Sequence, residues 1–398
     1  MKISFKKYFL LYLLILLIFS YFFLFIKHQV GNDSTISEWF INYEGGFTKR
    51  GIMGQISIEL ARFFKSDLRW VIFLFQSFAC TLYFFLLYQL IKNLKFERIL
   101  ILSIFTPIFI LYPIAEIEVL ARKEILVFSL YLIYLMIPRK HFLKMISLSF
   151  FSLISMLIWE PIIFFFPIIF LYEMIDKDIM KLNLNCLKLF LSFLPSLILA
   201  LIIITKPLSG DSHDVMAAVL RDEFGQECYM SCALLKSKST IMQQFQGNFA
   251  SYSIEVFIRY FLIILIGFYP LYLLIKHSLF NDKKFVLFNI FKKPITPIIL
   301  SLSPVIFLFA MGYDWGRWVN VTYVILALTF FKLLQRSKLV VNYENLKNEF
   351  LYKIRGKAFI IFFLIFCFGW NPKTVVTGDV ASFPGYRVPY KVFKILSN

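Results

Sequence analysis

Apolar runs of 14 to 24 residues recur along almost the whole chain. A helix needs about 20 such residues to cross the hydrocarbon core of a bilayer, somewhat fewer beside a break. Backbone groups inside that core must be satisfied within the chain, so runs this long are read as spanning helices. Charge agrees with pattern: 60% of the residues are hydrophobic and only 17% charged, where soluble domains carry about 25%. The expected fold class is therefore all-α, a polytopic transmembrane bundle of about eleven spans (ten to twelve). Run length places them at 8–26, 70–91, 99–115, 120–138, 145–158, 161–174, 187–204, 253–275, 295–311, 318–334 and 357–370. Residues 1–398 read as a single integral membrane domain, with outer loops 27–69 and 205–252 and an outer carboxyl-terminal tail at 371–398. No Gly/Ser linker, internal repeat or soluble catalytic domain divides it.

The first run follows Lys2, Lys6 and Lys7, the flank of a signal peptide. Its length and the lack of an A-x-A-like exit favour a retained span. A net charge of +18 suggests nucleic acid in a soluble protein, but in a membrane protein it reflects basic cytoplasmic loops. Those loops are marked by Lys92, Lys95 and Arg98; by Arg139, Lys140 and Lys144; by Lys276, Lys283, Lys284, Lys292 and Lys293; and by the basic segment 336–357. With them inside, the amino terminus is cytoplasmic. The segments 27–69, 116–119, 205–252, 312–317 and 371–398, and the corner Trp159-Glu160-Pro161, then lie outside. Residues 145–174 are either one kinked helix or two half-spans. Pro161 favours the break, and one helix would turn the later basic segments outward against the positive-inside rule. Of five cysteines, Cys228 and Cys232 stand four apart in the longest polar loop, where an extracytoplasmic location would allow a disulfide.

Four polar clusters stand where a membrane protein tolerates them least, all on the face predicted to be outer. Glu44-Gly45-Gly46-Phe47-Thr48-Lys49-Arg50-Gly51 joins adjacent glycines to two cations. It either wraps an anionic group or begins an amphipathic surface helix through Ile52, Ile56, Leu60, Phe63 and Phe64. Glu116, Glu118, Arg122, Lys123 and Glu124 sit at the turn into the fourth span, with Glu118, Arg122 and Glu124 partly sharing a helical face. They form a functional group or an ion-paired interfacial cap. Glu160 has no basic neighbour in sequence; it is either a general base with a pKa raised by desolvation or a carboxylate emerging at headgroup level. Gly312-Tyr313-Asp314-Trp315-Gly316-Arg317-Trp318 places Asp and Arg three apart between two Trp. Rings stack on sugar faces and Arg binds phosphate bidentately, so a glycan pocket is one reading; an aromatic belt with a local salt bridge is the other. The stretch 211–227 reads as a solvated loop covering the site, without chemistry of its own.

With GGFTKRG, ARKE, WEP and YDWGRW on outer segments of a Phe-rich bundle, the chain resembles the O-antigen polymerases of the Wzy type and related surface-polysaccharide polymerases. The resemblance implies a multi-pass protein of the bacterial inner membrane that transfers a glycan from an undecaprenyl-diphosphate carrier onto another lipid-linked repeat unit at the outer face. It implies membrane lipid and the lipid-linked oligosaccharide as partners, with a possible chain-length regulator protein, and no nucleic acid. No metal or other cofactor is expected. Lys49, Arg50, Arg122, Lys123 and Arg317 would bind the diphosphate, Trp315 the sugar, and Glu160 or Asp314 would deprotonate the acceptor. One alternative is a C-type glycosyltransferase using a polyprenyl-phosphate sugar, for which Asp33, Glu38 and Glu44 supply first-loop acids. The other is a flippase or transporter, whose charges would line a mid-membrane path, often within inverted repeats.

Overall fold

A computed structural model describes residues 5–29, 34–138, 141–179, 181–236, 241–250, 252–281, 290–376 and 396. Asp33, most of the tail 371–398, and the loop cations Arg139, Lys140, Lys283 and Lys284 lie outside the described residues. The described chain is mostly helical. Among the described residues, four helices are long and apolar enough to cross a membrane: Phe5–Gln29, Leu68–Ile91, Ile254–Lys276 and Trp315–Gln335. A bent pair, Leu184–Leu191 with Leu194–Thr205, makes a fifth if counted as one span. These are the features of a membrane protein.

The other apolar runs fold as shorter or interrupted helices, and the interruptions have local causes. The run at 99–115 stops after Arg98–Phe105 because Thr106 precedes a proline and is held extended, a position that disfavours helix. It resumes only as the single turn Tyr112–Ala115. The run at 295–311 is split by the turn Ser303–Val305, which carries Pro304. After Glu160, residues Glu160–Phe165 form a tight 3-10 stretch, and the α-helix Phe166–Asp176 begins with Pro167 in its first turn, where a missing N–H costs nothing. The chain is thus broken at Trp159-Glu160-Pro161, as Pro161 predicts.

Two compact units divide the chain. The first comprises Met1–Lys92, Ile117–Ile163 and Leu187–Thr240. Helix Phe5–Gln29 packs on Leu68–Ile91 through a stripe of Phe9, Leu13, Leu16, Ser20 and Leu24. Its opposite face, with Leu11, Leu14, Ile18 and Phe22, is exposed and equally apolar, as lipid contact requires. Leu68–Ile91 in turn packs on Glu124–Met136, and His141–Ile158 lies between that helix and Leu194–Thr205. Buried Gln76, mid-helix, donates to the carbonyl of Thr35 at 3.2 Å and so ties the first loop to the bundle.

Helix Gly51–Phe64 is amphipathic as its pattern predicts, but it seats on small residues. Gly51, Gly54, Ser57, Ile58 and Ala61 are buried, while Ile56, Phe63 and Phe64 point outward. A Cβ on Gly54 would meet the carbonyl oxygen of Ile41 at 2.0 Å, and one on Gly51 the Tyr43 ring at 2.1 Å. Residues 211–227 are not the loop expected from their polarity. Ser209 caps a helix, Gly210–Phe224, that Gly225 ends in the left-handed conformation, a standard start and stop. This helix lies against the first loop so closely that a Cβ on Gly45 would fall 1.7 Å from the Ser212 carbonyl oxygen.

The second unit comprises Asn93–Glu116, Phe164–Cys186 and Ile241–Asn398. Its axis is Trp315–Gln335, buried along nearly its full length and packed on Phe166–Asp176 and Ile254–Lys276. Asn320 donates to the carbonyls of Ile108 and Phe109 at 2.8 and 3.0 Å, restoring partners where the helix at 99–115 is interrupted. One feature departs from all-α expectation: Ser278–Phe280 and Leu339–Val341 pair antiparallel, with Leu279 opposite Val340. Both strands are only three residues long and lie in basic segments read as loops, and only Leu339–Val341 carries β-branched residues.

Gly54→Ala is expected to lower the thermal transition of the detergent-solubilised protein, by a free energy of about 1–3 kcal/mol, because backbone rather than a flexible side chain must move. Gly210→Ala, whose Cβ meets nothing within 4 Å, should leave the transition in place.

Candidate functional site

The first unit gathers Lys49, Arg50, Arg122, Lys123 and Glu160 around a residue weighed only as a first-loop acid, Glu38. Glu38 is fully buried. An ionised carboxylate without water needs cations and hydrogen bonds, and it has both: Arg50 Nη1 donates to Oε1 at 2.9 Å and Arg122 Nε to Oε2 at 3.2 Å. Arg50 also grips Glu160 with a two-pronged contact, Nε to Oε2 at 2.6 Å and Nη2 to Oε1 at 2.8 Å. Lys49, more exposed, stands 3.7 Å from Glu160. Lys123, fully buried, donates from Nζ to the backbone carbonyl of Arg50.

Local backbone geometry makes this convergence possible. Arg50, at φ 62°, and Ala121, at φ 50°, are non-glycine residues in the left-handed region, at about 1–2 kcal/mol each. Gly46, at φ +116°, turns the chain before them. The carbonyl of Ala121 is held by Trp39 Nε1 at 3.1 Å. Strained non-glycine backbone of this kind collects at functional sites.

Two expectations are corrected here. Glu118, Arg122 and Glu124 share no helical face: residues 117–119 form a 3-10 turn, Ala121 reverses the chain, and the helix begins only at Glu124. Arg122 points to Glu38 while Glu118 is exposed. Nor is Glu160 a carboxyl with a raised pKa. Burial alone would raise it, but the charges of Arg50 and Lys49 and the Arg50 hydrogen bonds outweigh burial and hold it down to about 2. Its basic partners lie 110 residues away in sequence, out of reach of any local pattern.

Glu44 belongs to a separate, more exposed network. Arg62 donates to Glu44 at 2.9 Å and to Glu223 at 2.8 Å, and Gln55 donates to Glu44 at 2.8 Å. The hydrogen bond from Arg62 pulls the Glu44 carboxyl below its usual range.

In the second unit, Asp314 and Arg317 do pair, at 3.1 Å across one helical turn, and the Arg317 guanidinium lies 5.2 Å from the centroid of the Trp318 ring. Trp315 departs from the expected role of an open sugar platform. It is 6% exposed, with its ring among those of Tyr252, Phe257, Tyr260 and Phe309 and its Nε1 donating to the Phe309 carbonyl at 2.8 Å. It therefore anchors the turn.

Over this turn runs a strap missed from sequence, residues 371–376. Gly316 N donates to Thr374 O at 3.1 Å and Val376 N to Tyr313 O at 3.0 Å. Tyr260 donates to the Lys373 carbonyl at 2.7 Å, and Lys373 pairs with buried Glu116 at 3.3 Å. Gly316 is required where the strap crosses, since a Cβ would fall 1.9 Å from the Lys373 oxygen. Glu116 thus has in Lys373 a partner that its sequence neighbourhood did not suggest.

Replacing Glu160 with Gln tests the ion pair through acid stability. The folded carboxyl sits near 2 against an ordinary 4.5, so its contribution is complete above the ordinary value and lost as pH falls between the two. Glu160→Gln should flatten that limb of the stability curve, by at most about 3 kcal/mol.

No known family model matches the chain, and neither the curated proteins nor the solved structures contain a match to it.

Proposed function

We propose that the protein is a surface-polysaccharide polymerase that moves a glycan from an undecaprenyl-diphosphate carrier to a lipid-linked acceptor at the outer face of a bacterial inner membrane. The observation that carries this reading is the ion-pair cluster of the first unit. Lys49, Arg50 and Arg122 face two carboxylates, Glu38 and Glu160, and buried Lys123 stands beside them on the Arg50 carbonyl. A leaving diphosphate develops charge that such cations stabilise, and guanidinium binds phosphate oxygens two at a time.

The resting pairing suggests how binding and proton transfer are linked. A diphosphate oxygen can take the place of Glu160 against Arg50. Glu160, released from the charge that holds its pKa low, then returns toward the ordinary carboxyl range and becomes a better base for the acceptor hydroxyl. Asp314, beside Arg317, is the second candidate base. The topology that accompanies this reading has about eleven membrane segments, several of them short or broken, with a cytoplasmic amino terminus and the charged segments outside.

One observation favours a second reading, a C-type glycosyltransferase acting on a polyprenyl-phosphate sugar. Glu38 is a fully buried first-loop carboxylate bracketed by two arginines, and acidic residues in that loop matter in such enzymes.

Deleting the gene separates the two. A polymerase deletion keeps the single-repeat lipopolysaccharide band and loses the ladder; loss of a sugar transferase alters the single-repeat band itself. An intact ladder would remove the polymerase reading. Arg50→Lys and Arg122→Lys, each restoring charge without the planar fork, should reduce ladder formation at least about ten-fold, the scale of one lost charge-assisted hydrogen bond. Periplasmic alkaline phosphatase fused within 205–252 should be active, and fused within 336–357 inactive.

A further inference from the structure

Outside the ion-pair cluster, the first unit brings together three residues with metal-binding side chains. We propose that His213, Cys228 and Cys232 form a redox-gated site for a thiophilic divalent cation of the zinc class, closed while the cysteines are bonded and open once they are reduced.

The three donors come from different local structures. His213 stands in the first turn of helix Gly210–Phe224, and the cysteines flank a turn in the segment that follows it. They converge so that their ligand atoms all lie within 4.8 Å of one another. Cys228 and Cys232 form a disulfide. His213 and Cys232 are buried and Cys228 is partly so.

The position of the imidazole matches coordination. In a tetrahedral zinc site, Zn–N of about 2.0–2.1 Å and Zn–S of about 2.3 Å put nitrogen and sulfur about 3.5 Å apart. His213 Nε2 lies 3.4 Å from Cys228 Sγ. The opposite ring nitrogen, Nδ1, is buried without a hydrogen-bond partner in this state, with Asp214 Oδ1 3.6 Å away, within a small shift of the carboxylate-behind-histidine arrangement that orients zinc-binding imidazoles. Lys236 donates to the same Asp214 oxygen at 2.7 Å. Three protein donors leave the fourth position to water.

Opening the site requires two electrons. A dithiol reductant supplies them with two protons, converting the Cys228–Cys232 bond to two thiols while becoming a disulfide itself. The sulfurs then part to about 3.8 Å around the ion, and coordination releases both thiol protons to solvent.

The site also touches the functional segment. Cys232 packs in the apolar cluster with Trp39, Phe40 and Ile41, and Ser231 N donates to Ser37 Oγ at 3.3 Å, one residue before Glu38.

The test uses the full-length protein in detergent, reduced with a phosphine and titrated anaerobically with Co2+. One equivalent should give a near-ultraviolet sulfur-to-cobalt charge-transfer band that Zn2+ abolishes; the oxidised protein should give none. His213→Ala should weaken Co2+ binding at least about ten-fold, and the Cys228→Ser/Cys232→Ser variant should lose the band, with circular dichroism reporting the fold of each. Absence of the band in the reduced protein overturns the proposal. So does a band unaffected by His213→Ala, or one persisting in the double serine variant, which would place the ion on Cys80, Cys186 or Cys367.

Discussion

The convergence of the first loop and the turn before Glu124 in the first unit is arranged around one desolvated charge. Glu38 has no access to water, and an isolated carboxylate in that position would be prohibitively unstable. Its two guanidinium partners come from sequence positions 12 and 84 residues away, so the first loop and the turn before Glu124 must meet at one point. The left-handed conformations of Arg50 and Ala121, the glycines at 46, 51 and 54, and the tie from Gln76 to Thr35 all follow from that meeting. A buried ion pair of this kind adds little net stability over an apolar filling, yet removal of one partner is severe. Glu38 therefore acts chiefly as a determinant of where Arg50 and Arg122 stand.

The second unit solves a different problem, that of apolar segments too irregular to be plain spanning helices. Non-helical backbone at membrane depth is tolerated only where protein or a water-filled cavity covers it. The interruption at Thr106 is covered by protein, through Asn320 and through the contact of the Thr106 hydroxyl with the Gly267 carbonyl at 3.2 Å. Trp315–Gln335, which supplies Asn320, has the mean hydropathy of a span but is almost entirely covered by other parts of the chain.

What could be read in the sequence was what depends on nearby residues. Apolar run length located Phe5–Gln29, Leu68–Ile91, Ile254–Lys276 and Trp315–Gln335 to within a few residues. Pro161 marked a real break, and the spacing of Asp314 and Arg317 produced a real pair. Run length alone did not show that the segments at 99–115 and 295–311 would be interrupted, because it gave no weight to Pro107 and Pro304, which mark both breaks. The failures at Glu160 and Trp315 share a cause. A carboxylate flanked by apolar residues looks unpaired until a loop 110 residues distant supplies Arg50, and a tryptophan beside charges looks like a binding surface until four rings from two segments close over it. Composition likewise hid the helix at Gly210–Phe224, whose polar outer face outweighs Met216 and Leu220 on the buried side.

The strap at 371–376 bears on how the protein is made. Residue 373 leaves the ribosome 57 residues after Gly316, roughly 3 to 11 seconds later at ordinary rates of synthesis. Through that interval the turn carrying Asp314 and Arg317 lacks the partners that the strap brings to Gly316, Tyr313 and Glu116. A charged turn in that condition keeps its Asp314–Arg317 pair and the packing of Trp315, so the rings around that tryptophan act as a temporary clamp during biogenesis, before the strap closes.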